Sequence, residues 1–243
     1  MLKDQVAIVT GASRGIGKEI ARQLAKQGVK LSIMGSSEEV HRTKREIEAE
    51  GHSDIFSFRA DVTKENEVDH VIEATKNAFG SLDILINNAG VVISKKIKDI
   101  TVEEWRKTFE VNVQGVFLCT KAVVPIMKQQ QSGTIITISS DVARYAIAEM
   151  GSLYTSTQYA VQGFIASIGQ ELKGDGIRVG TINPGLVNTN FGAIQGNEQG
   201  GEKKDWLKVE DIADAVIYMA GAPKHMLIDE LYLHPLSQKY PRT

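Results

Sequence analysis

The stretch from Asp4 to Gly17 limits what this chain can fold into more than any other. A short apolar run, Val6 to Val9, reads as a buried strand. It breaks at Gly11, Gly15 and Gly17, spaced four and then two apart, and a helix-period pattern (Ile16, Ile20, Ala21, Leu24) follows. Strand, glycine turn, then helix brings backbone N–H groups and a helix N-terminus to one point, the geometry that receives a pyrophosphate. Gly11 permits the tight turn, Gly15 lets the backbone approach a ligand, and Gly17 lets the helix pack close to the strand. Glycines also serve such turns for steric reasons alone. The strand before, the helix after and the place near the start of the chain favour a dinucleotide site.

Strand-like and helix-like segments alternate along the rest of the chain. The expected strands are 5–10, 29–34, 54–59, 82–87, 133–139, 177–182 and 229–234. The expected helices are 15–28, 38–50, 64–80, 102–130, 153–173 and 208–221. Several strands, such as Leu82 to Ile86 and Thr134 to Ile138, are largely apolar, which suits strands covered on both faces. Thr101 with Glu104 three residues on is a capping box at the head of the fourth helix. This alternation predicts an α/β fold: a doubly wound parallel sheet of about seven strands with helices on both faces and ligands at the strands' C-terminal ends. With 243 residues and no linker, repeat or composition shift, one domain over 1–243 is expected.

A net charge of −2 with both signs mixed gives no footprint for nucleic acid or an anionic membrane. The basic cluster Arg42 to Arg45 is followed by Glu46, Glu48 and Glu50 and reads as a solvated helix face. No apolar run approaches a membrane span, and no leader pattern opens the chain. A single cysteine, Cys119, in an apolar run, reads as a packed thiol in a reducing compartment, so a cytoplasmic location is expected. The five histidines have no metal-ligand spacing, and no metal site is expected.

Further constellations fall at expected strand ends. Asn87, Asn88, Ala89 and Gly90 end the fourth strand, and Ser139 and Ser140 end the fifth. Tyr154 and Gln158 lie four apart on one face of the helix after it. Asn183 to Thr189 follow the sixth strand. Together, and in this order, these motifs resemble the short-chain dehydrogenase/reductase family over nearly the whole chain, and the resemblance implies a single Rossmann-type domain. Gly11, Ser13, Arg14, Gly15, Ile16 and Gly17 resemble its cofactor turn, and Asp61 with Val62 its adenine-contacting pair. Asn88, Ala89 and Gly90 match its cofactor-side strand end, and Asn112 its active-site asparagine. Pro184, Gly185, Val187 and Thr189 resemble the segment that holds the nicotinamide carboxamide and phosphates. The implied reaction is hydride transfer between nicotinamide C4 and a small carbonyl or secondary alcohol. Tyr154 would be the general acid of reduction, and Ser140 would hold the reacting oxygen.

Two departures from the family pattern stand out. Ser140 lies fourteen residues before Tyr154, whereas the family places its serine thirteen before; position thirteen here is Asp141. An ionised aspartate only accepts hydrogen bonds and would repel a developing alkoxide, so the extra residue is assigned to the loop 142–152. The second departure is Gln158, where the family motif Tyr-x-x-x-Lys has its lysine. That lysine bonds the nicotinamide ribose, lowers the tyrosine pKa and passes protons. Three readings stay open: an oxidoreductase impaired at Gln158, a dinucleotide-binding protein with a sensing or partner role, and an enzyme whose glutamine was introduced to trap a complex. The first is favoured because Ser140, Tyr154 and Asn112 stay in register.

NADP(H) is expected over NAD(H). The second strand ends in Ser36 and Ser37 with no acid to repel a 2′-phosphate, Arg14 can reach it, and Glu38 and Glu39 are expected to point outward. Substrate loops are expected at 142–152 and 188–206, where Tyr145, Ile147, Met150, Phe191 and Trp206 suit an apolar body. A homodimer or homotetramer is expected, because helices 102–130 and 153–173 carry more apolar surface than one sheet-facing stripe uses, and the family pairs these helices.

Overall fold

The computed structural model describes residues 2–146, 151–189, 191 and 205–238. Seven strands, β1 (Val6–Thr10), β2 (Lys30–Gly35), β3 (Ile55–Arg59), β4 (Ile84–Asn87), β5 (Gly133–Ile138), β6 (Ile177–Pro184) and β7 (Glu230–Leu233), form one parallel sheet. Their order is β3-β2-β1-β4-β5-β6-β7. The strand order reverses between β1 and β4, so a crevice opens above the C-terminal ends of those two strands, where ligands of such sheets bind. Around the sheet lie α1 (Gly15–Lys26), α2 (Glu39–Ala49), α3 (Glu65–Phe79), α4 (Val102–Phe109), α5 (Gly115–Gln130), α6 (Ser152–Leu172) and α7 (Val209–Ala220).

The continuous apolar strands follow from burial on both faces. Along β1, Ala7 and Val9 enter the core shared with Ile20 and Leu24 of α1 and Ile212 and Val216 of α7. Ile8 points the other way, into the core shared with Val68 and Val71 of α3, Val123 of α5 and Val161 of α6. Leu85 and Ile135 follow Ile8, while Ile84, Ile86 and Ile136 join Ala7. Removing such a side chain to alanine costs about 2–5 kcal/mol.

The observed elements match the expected ones to within a residue or two at most ends. The helix expected over 102–130 is instead α4, a wide π turn at Glu110–Gln114, and α5. The wide turn carries Asn112, which is buried there. Taken as one continuous run, Val102–Gln130 is long and apolar enough by length and composition to cross a membrane, contrary to the expectation that no apolar run approaches a span. In this fold Val116, Leu118, Cys119, Val123 and Met127 of that run are buried in the core instead.

Candidate active site

The glycine turn is built from both sides of the switch point. Thr10, the last residue of β1, accepts hydrogen bonds at its Oγ1 from the backbone N–H groups of Asn88 (2.9 Å) and Ala89 (3.0 Å) after β4. The Asn88 side chain donates back, to Thr10 O (2.9 Å) and Gly11 O (3.2 Å). This leaves no room for a side chain at Gly17: a Cβ there would lie 2.3 Å from Asn88 Nδ2 and 2.4 Å from Gly11 O. Gly15, at φ +57°, has no atom within 4 Å of the place a Cβ would take, so the turn opens onto free space at the head of α1. That open cradle at a helix N-terminus fits a pyrophosphate.

Next to the cradle, Ser13 occupies the space above Gly35, where a Cβ would meet its Oγ at 2.2 Å. Arg14, extended and exposed as the N-cap of α1, makes no ion pair among the described residues. Ser36 and Ser37 are exposed beyond the end of β2. The acids that follow them have basic side chains beside them: Glu38 has Arg59 Nη1 (3.0 Å) and the His41 ring Nε2 (3.6 Å), Glu39 has Arg42 Nη1 (3.7 Å). Asp61 closes its own turn, accepting from Thr63 N–H at 2.9 Å. Val62 is buried against α5 at Gly115, where a Cβ would lie 2.7 Å from Val62 Cγ2.

On the other side of the crevice Asn112 is held by its whole amide. Its Oδ1 accepts from Val91 N–H (2.8 Å), and its Nδ2 donates to Val91 O (2.9 Å) and Thr157 Oγ1 (3.1 Å). Thr157 in turn donates to Tyr154 O at 2.7 Å, which ties the π turn to the first turn of α6. The Tyr154 ring meets Phe191 edge-on, with centroids 6.2 Å apart. A Cβ on Gly90 would reach Asn112 Oδ1 at 3.5 Å and Phe191 Cζ at 3.9 Å. Gly90, Asn112, Tyr154 and Phe191 therefore share one neighbourhood beyond β4.

Ser139 donates from Oγ to the Oε1 of buried Gln158 at 3.0 Å. Gln158 Nε2 lies 3.4 Å from Thr157 Oγ1. Ser140, half-buried, heads a 3-10 turn at Asp141–Ala143; its Oγ accepts from Val142 N–H (3.4 Å) and donates to Asp141 Oδ1 (3.3 Å). Asp141 is fully buried and also accepts from Gln238 Nε2 at 2.7 Å.

Pro184 is the last residue of β6, with Gly185 N–H bonded to Leu233 O (2.8 Å). Val187 bridges to Leu207, and Thr189 Oγ1 accepts from Phe191 N–H at 3.2 Å. Of the residues expected in the substrate loops, Tyr145, Phe191 and Trp206 are described, whereas Ile147 and Met150 lie outside the described residues. Thr157 and Gln238 escaped the sequence reading as parts of the site, whereas Thr10 stands in the glycine-turn motif and Ser139 in the serine pair that ends the fifth strand. Each is joined to it by a hydrogen bond, and no local pattern encodes the partner.

Cys119 is buried in the core, and desolvation pushes its thiol up to about 12, so it stays protonated near neutrality. Among the described residues no group of three or more His, Cys, Asp or Glu is arranged to hold a metal ion.

Residues 5–199 match the family described as short chain dehydrogenase. An uncharacterized oxidoreductase of Staphylococcus saprophyticus is 36% identical over 236 residues, covering 97% of this chain and 99% of that protein. An alcohol dehydrogenase of Thermococcus sibiricus, solved with 5-hydroxy-NADP, has a TM-score of 0.88 at 31% identity and covers 97% of this chain and 98% of its own. A 3-ketoacyl-(acyl-carrier-protein) reductase of Brucella melitensis, solved with NADH, has a TM-score of 0.88 at 27% identity and covers 97% and 99%. The chain belongs to the short-chain dehydrogenase family, and its relatives are oxidoreductases.

Proposed function

We propose that the chain is an NADP(H)-dependent oxidoreductase acting on a small carbonyl or secondary alcohol, slowed at its proton-transfer step by Gln158. The observation that carries this reading is the shared neighbourhood of Gly90, Asn112 and Tyr154, stapled through Thr157 beside the glycine cradle. A nicotinamide dinucleotide would supply or accept the hydride. Gly11 to Gly17 would receive its pyrophosphate, Asp61 and Val62 its adenine, and Asn88 to Gly90 with Pro184, Gly185, Val187 and Thr189 its nicotinamide half.

Within that frame the chain's own groups hold and move protons. Tyr154 gives its phenolic proton as the substrate oxygen gains charge. Ser140 turns its hydroxyl from Asp141 to that oxygen and fixes its position. Gln158 keeps amide N–H donors but has no charge and no proton to pass on. A lysine there would place a cation near the phenol; a unit charge at ~4 Å is worth roughly 4 kcal/mol at an effective dielectric of about 20. Its absence weighs most on alcohol oxidation, which needs the phenolate.

The pairing of Glu38 with Arg59 and His41 supports NADP(H), since it draws the nearest acid away while Arg14 stays exposed at the turn. Exposed Phe117 on α5 and Tyr159 on α6 support self-association through those helices. One domain over 1–243 and a cytoplasmic location complete the reading. The test is NADPH consumption against a panel of ketones and aldehydes, with fluorescence titration of NADPH alongside. Saturable binding with slow, Ser140-dependent turnover is expected; no NADPH binding at millimolar cofactor would overturn it.

A further inference from the structure

Asp141 is a fully buried carboxylate one residue past Ser140, and the chemistry above gives it no part. Besides Ser140, its neighbours include two residues from β7 onward. Gln238 Nε2 donates to Asp141 Oδ2 at 2.7 Å, while the same amide's Oε1 accepts from Leu186 N–H at 2.9 Å. His234 Nε2 lies 3.6 Å from Asp141 Oδ2. The fit is close: a Cβ on Gly185 would lie 2.2 Å from Gln238 Oε1 and 2.8 Å from His234 Cδ2. One amide from the segment after β7 thus touches the serine turn after β5 with its donor and the Pro184 loop after β6 with its acceptor.

We propose that Gln238 and Asp141 form a clasp that positions the two halves of the site, with Asp141 as a positioning residue for Ser140. This rests on the reading of Ser140 and the Pro184 loop given above. The clasp uses both ends of the Gln238 amide, so the two loops are ordered together. Asp141 divides its oxygens in the same way: Oδ2 faces Gln238 and Oδ1 accepts from Ser140 Oγ. Ser140 is thereby held, with its proton directed, until a substrate oxygen competes for it.

The clasp can be broken and remade by reversing its polarity. Gln238→Glu keeps an acceptor for Leu186 N–H but sets a carboxylate against Asp141. Adding Asp141→Asn returns a donor to that contact and keeps an acceptor for Ser140. Amide hydrogen exchange on the cofactor-free full chain reads both loops, and NADPH titration reads their consequence. For Gln238→Glu we expect exchange across 140–145 and 184–187 to quicken together by about tenfold or more, and NADPH affinity to fall by about tenfold, the scale of one buried charged hydrogen bond. The double variant should recover most of both. Circular dichroism checks that each variant folds; if Gln238→Glu does not, Gln238→Ala must loosen the same two segments together. The proposal is overturned if only one segment responds, if neither does, or if the double variant is no better than the single. Ser140→Ala separates this from the functional reading. Parental turnover in that variant would refute the role given to Ser140, while the exchange data would still decide the clasp.

Discussion

Gln158 shows how a residue can be legible in its identity and illegible in its surroundings. Its spacing from Tyr154 marks it as the departure from the family motif, but the bond from Ser139 Oγ to its Oε1 joins positions 19 residues apart and no local pattern announces it. Ser140 and Asp141 divide in the same way: order along the chain separates them, while only the fold pairs Asp141 with Gln238, 97 residues on. Arg14 carries the first prediction at this scale. Its guanidinium faces no carboxylate among the described residues, so Arg14→Ala should weaken NADP(H) binding by about tenfold or more, the scale of a charge-assisted bond, and leave NAD(H) nearly unchanged. Paired fluorescence titrations check it; equal losses for both cofactors would remove Arg14 from the 2′-phosphate site. Cys119 carries the second. With its thiol pushed up to about 12 by burial, the thiolate is absent near neutral pH, and a disulfide reagent should label the chain only on unfolding. Fast labelling of the native chain would contradict its place in the core.

At the scale of elements, period and capping carry most of the information. The capping box read from Thr101 and Glu104 is present with both reciprocal bonds, Glu104 N–H to Thr101 Oγ1 at 3.1 Å and Thr101 N–H to Glu104 Oε2 at 3.0 Å. The Glu104 carboxyl is held below its usual range by hydrogen bonding from Lys95 and then by the Thr101 backbone. Because the folded pKa is depressed, that contribution is present above the unfolded value near 4.5 and fades as pH falls through the lower folded value. Thr101→Ala should cost about 1 kcal/mol, read as a lower denaturant midpoint with unchanged slope. No loss at neutral pH would mean that the first turn of α4 is held by packing alone. The π turn at Glu110–Gln114 was not legible, because an apolar helix-period pattern runs through it. At the wider turn the Asn112 amide is bonded to the backbone of Val91, accepting from its N–H and donating to its O, a non-local partner that the period does not encode. β6 runs two residues past the expected 177–182 for a related reason: Asn183 and Pro184 pair with Tyr232 and Leu233 of β7, partners about fifty residues away in sequence.

Across the whole molecule, the sheet order brings the glycine cradle, the Asn88 turn and the Pro184 loop to one edge of the sheet, at the C-terminal ends of β1, β4 and β6, although they are scattered from Thr10 to Thr189 in sequence. Alternating segments were enough to predict that edge; which side chains staple it together was not, since those bonds link partners up to 97 residues apart. The expected association surface is reduced by the fold, because Val116, Leu118, Val123, Val161 and Ile165 are all spent on the core. What stays outside includes Val102 and Trp105 on α4, Phe117 on α5, at 44% exposure, and Tyr159 on α6, at 46%. Sedimentation at micromolar concentration should give a dimer or tetramer, and Phe117→Glu should shift it toward monomer; a parent chain that sediments as a monomer would refute the pairing. The proposed slow step turns on the missing cation at position 158. Its most direct test is steady-state turnover of the parent and Gln158→Lys in both directions near neutral pH, with NADPH affinity measured on both. We expect both to bind cofactor, alcohol oxidation by the parent to be the slowest reaction, and the lysine to raise turnover by roughly tenfold or more, the low end of acid–base effects. A parent chain that is fast in both directions, with nothing gained from the lysine, would contradict it.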